Sequence, residues 1–251
     1  MDCKIVDILN GFCTISLENM KSVRLMNRID TKYLTDIDTL YSIMSMAKDY
    51  YLVQSVESNL IANYSTCYFD TMNHDMYLQH HNGRAVRTKI RIRKYVDSDI
   101  MFLEIKKKNN KGRTDKNRIE TDNWKLDDEC KYKFINDNTS YKVESLKPQL
   151  QNRFQRITLV NKDMSERLTI DTMINFHNVV TENDYDMGKL VVVEVKRGRF
   201  GFSPIKSILN KYRVFQSGFS KYCIGSSLTD NTLKQNRFKT KERYIDKIVK
   251  N

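Results

Sequence analysis

Arg87-Thr88-Lys89-Ile90-Arg91-Ile92-Arg93 is the stretch whose reading decides the fold. Basic residues fill every second position, with Thr or Ile between them. A period of two is that of a β-strand, whose successive side chains point to opposite faces. Arg87, Lys89, Arg91 and Arg93 therefore share one face, and Thr88, Ile90 and Ile92 share the other. Phe102-Leu103-Glu104-Ile105-Lys106 and Lys116-Asn117-Arg118-Ile119-Glu120 follow the same rule. So do Arg167-Leu168-Thr169-Ile170-Asp171 and, far along the chain, Val191-Val192-Val193-Glu194-Val195-Lys196. One such strand describes a sheet with a wet face. Five suggest that the charged faces meet, as in a barrel with a polar interior and an apolar exterior covered by helices. Such an interior repels itself. Two like charges ~6 Å apart cost about 3 kcal/mol at an effective dielectric of ~20. Acidic partners, water or a polyanionic ligand must supply the missing charge.

Composition agrees with this picture. The chain has 251 residues, 40% of them hydrophobic, and a net charge of +12. It is long enough for a sizeable core and is read as one domain over 1–251. The charge favours polyanionic partners. Cys3, Cys13, Cys67, Cys130 and Cys223 are odd in number and form no CxxC pair. They read as free thiols in a reducing compartment. No secretory leader is evident at the start, and no run of 18 apolar residues occurs. The expected location is the cytoplasm, at most peripheral to the inner face of a membrane.

Residues 1–23 form a weakly patterned lead-in. Arg28 to Tyr33 is extended. Asp36 to Lys48 carries Ile37, Leu40, Tyr41 and Met44 at helical spacing. Ile61 to Thr71 is a strand, and Asn73 to Gln79 a short helix capped by Asn73. Asn82-Gly83 signals a turn, and a hairpin loop lies near Asn109 to Gly112. Leu126, Cys130 and Phe134 mark a helix over Trp124 to Asn136. The polar run Asn136 to Ser145 reads as an excursion between two halves. Arg153 to Val160, Arg167 to Asp171 and Leu190 to Lys196 are strands. Ser203-Pro204 starts a helix as N-cap and first-turn proline. Phe219 to Leu228 is another short helix. The basic end, 229–251, reads as a solvated helix or tail.

The basic faces (Lys89, Arg91, Arg93, Lys106, Lys116, Arg118, Arg156, Arg167 and Lys196) suit phosphate chemistry. Arg forks match phosphate oxygens and Lys acts as a point charge. Among them, Glu104, Glu120 and Glu194 have two readings. They hold the cations in place, or one or two of them, Glu194 first and Glu104 second, hold a divalent ion that bridges phosphates. His74, His80, His81 and His177 show no ligand spacing. No P-loop, GxGxxG, GxSxG or HExxH motif occurs. Nucleic acid is not an expected partner, because the basic strands interleave Thr and Ile rather than base-stacking aromatics.

Arg28-x-x-x-Lys32-Tyr33, Tyr68-Phe69-Asp70-Thr71, Lys89 to Tyr95, Leu103 to Lys106, Arg167 to Asp171, Val193 to Lys196 and Phe219-Ser220-Lys221-Tyr222 occur in that order. Together they resemble the VTC domain, the polyphosphate polymerase module of the vacuolar transporter chaperone complex. That family is one of the triphosphate tunnel metalloenzymes, as is the CYTH group. The resemblance covers residues 24–226. It implies an α+β fold: a closed antiparallel β-barrel forming a tunnel with a basic interior and flanking helices. It also implies transfer of the ATP γ-phosphate to a growing inorganic polyphosphate chain, with Mn²⁺ or Mg²⁺. By motif, Arg28, Lys32, Arg91, Arg93, Lys106 and Arg156 would surround the triphosphate, and Glu194 would hold the metal. Ser220, Lys221 and Lys196 would contact phosphate near the wall. One more family lysine falls between Lys116 and Arg118.

The triphosphatases and cyclases of the superfamily carry an ExExK strand where this chain has Arg-x-x-x-Lys. Losing those carboxylates weakens a hydrolytic two-metal arrangement and tilts the expectation towards a polymerase. The rivals are a triphosphatase and a non-catalytic module that binds polyphosphate, inositol phosphate or another polyanion. The sensor and membrane segments that flank the eukaryotic domains have no counterpart here, so moving product across a bilayer would need a separate membrane-protein partner. Truncating Arg91 or Arg93 is expected to abolish activity with the fold intact.

Overall fold

A computed structural model describes residues 3–22, 29–198 and 201–250. Helix α1 (Cys3–Asn10), strand β1 (Thr14–Ser16) and helix α2 (Leu17–Ser22) come first. They are followed by strand β2 (Ile29–Asp36), helix α3 (Ile37–Ala47), strands β3 (Tyr51–Ser55) and β4 (Ile61–Thr71), and helix α4 (Asp75–His81). A meander of β5 (Arg87–Tyr95), β6 (Ile100–Lys108) and β7 (Thr114–Thr121) comes next. Helix α5 (Glu129–Asn138) and a 3-10 turn at Val143–Ser145 lead to a long hairpin, β8 (Leu146–Asn161) and β9 (Glu166–Asn178). Strands β10 (Asp184–Asp186) and β11 (Leu190–Arg197) precede helices α6 (Pro204–Lys211), α7 (Lys221–Thr229) and α8 (Lys239–Lys250). Among the described residues no helix is long and apolar enough to cross a membrane.

The strands form one sheet in the order β2-β11-β9-β8-β4-β5-β6-β7, antiparallel throughout this path. The expected closure is corrected. Among the described residues no ladder joins β2 to β7, so the sheet is open. The reason lies at the outer edge of β2. A bridge from Tyr33 to Gln216 and a 2.7 Å hydrogen bond from Ser217 N to Lys32 O occupy that edge. The post-α6 segment thus caps the edge that a closing strand would need. At the other end, Thr114 to Arg118 of β7 is exposed.

Helices α1, α3 and α6 cover the apolar face of the β8-β9-β11 side, over Ile157, Leu159, Leu168, Ile170, Val191, Val193 and Val195. A second cluster joins Ile90, Ile92, Leu103 and Ile105 to Met76 and Tyr77 of α4 and Ile135 of α5. Burying an aliphatic side chain of this kind is worth about 1.5–3 kcal/mol, so these faces dominate the fold's stability. Not every helix is outside. Tyr222, Cys223 and Ile224 of α7, and Ile245 of α8, pack with Leu150, Phe176 and Val192. Of these, Phe176 and Leu150 press closest on α7. A Cβ on Gly225 would lie 2.5 Å from Phe176 Cδ1 and 2.7 Å from Leu150 Cδ2, so only glycine permits this approach.

Several expectations shift. The lead-in is ordered: α1 buries Ile5 and Leu9 against the α3 cluster. Helix α4 begins at Asp75 without a side-chain cap from Asn73; residue His74 at its start has φ 55. Its first-turn amides are satisfied instead by the strand residue Asp70, which accepts from Met76 N and Tyr77 N at 3.0 Å. Helix α5 starts after Asp128, which caps Lys131 N at 2.8 Å. Leu126 thus lies outside it, and Cys130 is exposed. The run Asn136 to Ser145 finishes α5 and makes the 3-10 turn rather than an excursion. The basic end is not a solvated helix, since Ile245 is fully buried and Tyr244 Oη donates to Leu34 O at 3.3 Å.

Candidate functional site

Cross-strand register shows which side chains share the charged face. Lys32 lies opposite Glu194, and Glu194 opposite Thr169. Asp171 lies opposite Arg156, Arg156 opposite Ala62, and Thr66 opposite both Asn152 and Arg93. Arg91 faces Glu104, which faces Arg118, while Lys89 faces Lys106, which faces Lys116. Partners in register project to the same side. Arg167 joins the face opposite Lys196. Arg28 lies outside the described residues.

The face is concave. Lys32 Nζ donates to Phe219 O at 3.1 Å, and Lys89 Nζ to Ser220 Oγ at 2.9 Å. Lys221 pairs with Asp171. Strands β2, β5 and β9 thus reach three consecutive residues. In a flat sheet β9 and β5, three steps apart, would be separated by about 14 Å. The sheet curls around the start of α7, where Ser220 is the N-cap. The product is a basic recess between the sheet and α7.

Its carboxylates share one arrangement: each is held by two cations. Glu104 accepts from Arg91 Nε at 2.8 Å and Nη2 at 2.6 Å and pairs with Lys116. Asp171 accepts from Arg156 Nε at 2.6 Å and Nη2 at 2.8 Å, besides Lys221. Glu194 pairs with Lys196 and with Lys32 at 3.5 Å. Burial alone would raise the pKa of each carboxyl. The flanking cations outweigh it and hold all three well below the usual range. None of the three acts as a proton carrier near neutral pH.

Cations remain in excess. Lys106 has no ion pair or hydrogen bond among the described residues. Repulsion from Arg91, then burial and Arg93, push its pKa well down. Arg93 donates to Thr66 Oγ1 at 3.2 Å, and burial followed by Arg91 lowers it to about 10. Burial lowers Lys221 to about 8 despite Asp171. This is the stress that a bound polyanion would relieve. Lys106→Met is therefore expected to raise the melting temperature of the ligand-free protein by about 2–4 °C, the shift that 1 kcal/mol gives in a chain of this size. The same change should weaken triphosphate binding about tenfold. A melting curve and a calorimetric titration check both.

Lys221 gives the site a pH dependence. Its proton leaves as pH rises through about 8, so phosphate affinity should fall between pH 7 and 9. The folded value lies below the ordinary 10.5, so between the two the unfolded chain binds more protons. Lys221 therefore favours folding increasingly with pH in that window while binding weakens. Lys221→Met should remove the part of the affinity profile centred near pH 8, read by titrating tripolyphosphate at several pH values.

Aromatic rings, missed in the sequence, pack under the cations. Lys221 Nζ is 4.2 Å from the Phe154 ring centroid, and Arg156 is 5.2 Å from both Phe154 and Tyr64. Arg93 is 5.4 Å from Tyr64, and Arg118, exposed on β7, is 4.3 Å from Phe102. Arg91 is 6.0 Å from Tyr68; Phe154 and Tyr68 are only 3% and 4% exposed, so they orient guanidinium groups and offer no open surface to bases. Asn152, also missed, is 1% exposed, and neither amide atom has a partner among the described residues.

Among the described residues no group of three or more His, Cys, Asp and Glu could enclose a metal ion. Glu104 is fully buried, with Arg91 on one carboxylate oxygen and Lys116 on the other. Glu194 does fit. Its side chain is 21% exposed, and Thr169 Oγ1 is 3.5 Å from its Oε2. Mg²⁺ and similar ions commonly take one or two carboxylates and fill the other positions with phosphate and water.

The VTC domain family model matches residues 27–230. Comparison with curated proteins gives no match. Among solved structures, the chain is similar to a candidate adenylate cyclase from Bacillus halodurans (16% identity, TM-score 0.49, covering 78% of this chain and 96% of that one). It is also similar to a candidate adenylate cyclase from Vibrio parahaemolyticus (10%, 0.47, 79% and 97%). A third is a candidate adenylyl cyclase from Hippeastrum with a dominant triphosphatase activity (14%, 0.47, 82% and 97%). The family match spans the strands and the α7 segment that build the recess, and on that match the chain belongs to the VTC domain family.

Proposed function

We propose that the protein is a phosphotransferase that extends inorganic polyphosphate with the γ-phosphate of ATP. One observation carries the reading. The carboxylates of the recess are each held by two cations, and among the described residues no carboxylate contacts Lys89, Arg93 or Lys106. That balance suits a long anion better than hydrolysis with two metals, which needs free carboxylates.

In this account Arg91, Arg93, Lys106 and Arg156 bind the triphosphate of ATP, and Lys221, Lys196 and Ser220 orient the chain. A terminal phosphate oxygen of the chain attacks the γ-phosphorus. A P–O bond forms there as the bond to the β–γ bridging oxygen breaks, and ADP leaves. The attacking oxygen is already ionised, so no general base is needed. Arg93 and Lys106 stabilise charge on the transferring group, and alignment does the rest. Glu194 would hold Mn²⁺ or Mg²⁺, which supplies charge neutralisation on the phosphates when bound.

The test is incubation with ATP and Mn²⁺ and separation of products on a gel, beside Glu194→Ala. Long chains that vanish in the variant support the reading. Free phosphate alone replaces it with a triphosphatase, and tight binding without turnover replaces it with a binding module.

A further inference from the structure

The cations of the recess do not stop at the sheet. They follow the segment from Gly218 to Lys221. Lys221 meets Asp171 on β9, Ser220 Oγ accepts from Lys89 of β5, and Phe219 O accepts from Lys32 of β2. One residue further out, a Cβ built on Gly218 would lie 3.4 Å from Lys241 Nζ of α8. Three ammonium groups from three different elements thus attend the three consecutive residues Gly218 to Ser220, and Lys221 adds its own at the end of the row. At about 3.3 Å per extended residue, the row is on the order of 10 Å long.

Lys241 is the member of this row with no evident structural duty. It has no ion pair or hydrogen bond among the described residues. Its neighbour Glu242 is turned away, with Ser227 Oγ donating to its Oε1. Lys241 is only partly exposed, and burial and Lys32 both lower its pKa. The same group of cations bears on His80 at the end of α4. Burial, Lys89, Arg87, Lys241 and Lys32 push that imidazole down to about 3, so it stays neutral. A solvated lysine on a terminal helix would point to water. This one is held beside Lys32 and Gly218 at an electrostatic cost.

We propose that Lys241 of α8, with Lys32 and Lys89, forms a second phosphate subsite that takes the part of a linear polyphosphate chain lying beyond the site of the transferred triphosphate. The inference rests on the polyphosphate reading and extends it to a residue outside the family match of 27–230. The chain would run along the segment from Lys221 to Gly218 and leave between α4 and α8. Lys241 serves as a point charge there, with three donors for successive phosphate oxygens.

The test compares inorganic tripolyphosphate with long-chain linear polyphosphate, each titrated into the full chain, Lys241→Ala and Lys241→Arg. For Lys241→Ala, affinity for the long chain should fall about tenfold relative to affinity for tripolyphosphate, and Lys241→Arg should restore the ratio. Equal losses for both ligands, or no loss for either, would overturn the subsite while leaving the polyphosphate reading in place. If the unaltered protein binds neither ligand, the polyphosphate reading itself fails and the subsite with it.

Discussion

Replacing Arg91 with alanine is expected to cost about 3–5 kcal/mol of folding stability, the usual result of stranding one member of a buried ion pair. Arg91 gives Glu104 two hydrogen bonds at 2.8 and 2.6 Å, and the Glu104 side chain is fully buried. Without Arg91, the carboxylate keeps only Lys116, whose side chain is 36% exposed. Melting should fall by about 6–20 °C at 2–4 °C per kcal/mol. Replacing the pair together, Arg91→Met with Glu104→Leu, should recover most of the loss, because neither charge is then stranded. A loss below about 1 kcal/mol for the single variant would mean that Lys116 alone satisfies Glu104. This departs from the sequence expectation that Arg91 could be truncated with the fold intact. A variant there that lost activity would report on folding as much as on chemistry.

Arg93 is the cleaner probe. It lies two residues along the strand from Arg91, yet its hydrogen bond goes to a hydroxyl, Thr66 Oγ1, and no carboxylate among the described residues pairs with it. Arg93→Ala should leave the melting temperature within a few degrees of the unaltered protein, since a repelled buried cation is removed along with its packing. Turnover should fall by about 10²–10³, the usual loss when one preorganised donor to developing charge is deleted. Steady-state kinetics on protein of verified melting temperature would show this. Undiminished synthesis would remove Arg93 from the transition state.

The charged face was legible because alternation over seven residues leaves a strand no other way to place four cations. The apolar faces followed from the same rule, while α3 was legible from its helical spacing and α6 from Ser203-Pro204; Ser203 caps α6 as read, and Asp36 proves to cap α3. Closure was not legible. It depends on what occupies the outer edge of β2, and Gln216 and Ser217 reach that edge from nearly 200 residues away. The role of Asp171 was hidden for a related reason. Its strand was read correctly, but its partners Arg156 and Lys221 come from β8 and α7, and only register brings them together. Phe154 and Tyr64 sit on strands whose own patterns look like ordinary core. They become part of the site because β5 and α7 lay cations on them. The buried side of α8 was missed because the charges of that helix mask Ile245, which the core takes.

The central claim is that the recess is built around charge that a chain of phosphates supplies. Its most direct test is to melt the protein with and without inorganic tripolyphosphate, in the absence of any nucleotide. Ligand at 100 times its dissociation constant adds about 2.7 kcal/mol, so melting should rise by about 5–10 °C. The rise should shrink as salt screens the site. An unchanged melting temperature at low salt and saturating ligand would contradict the account.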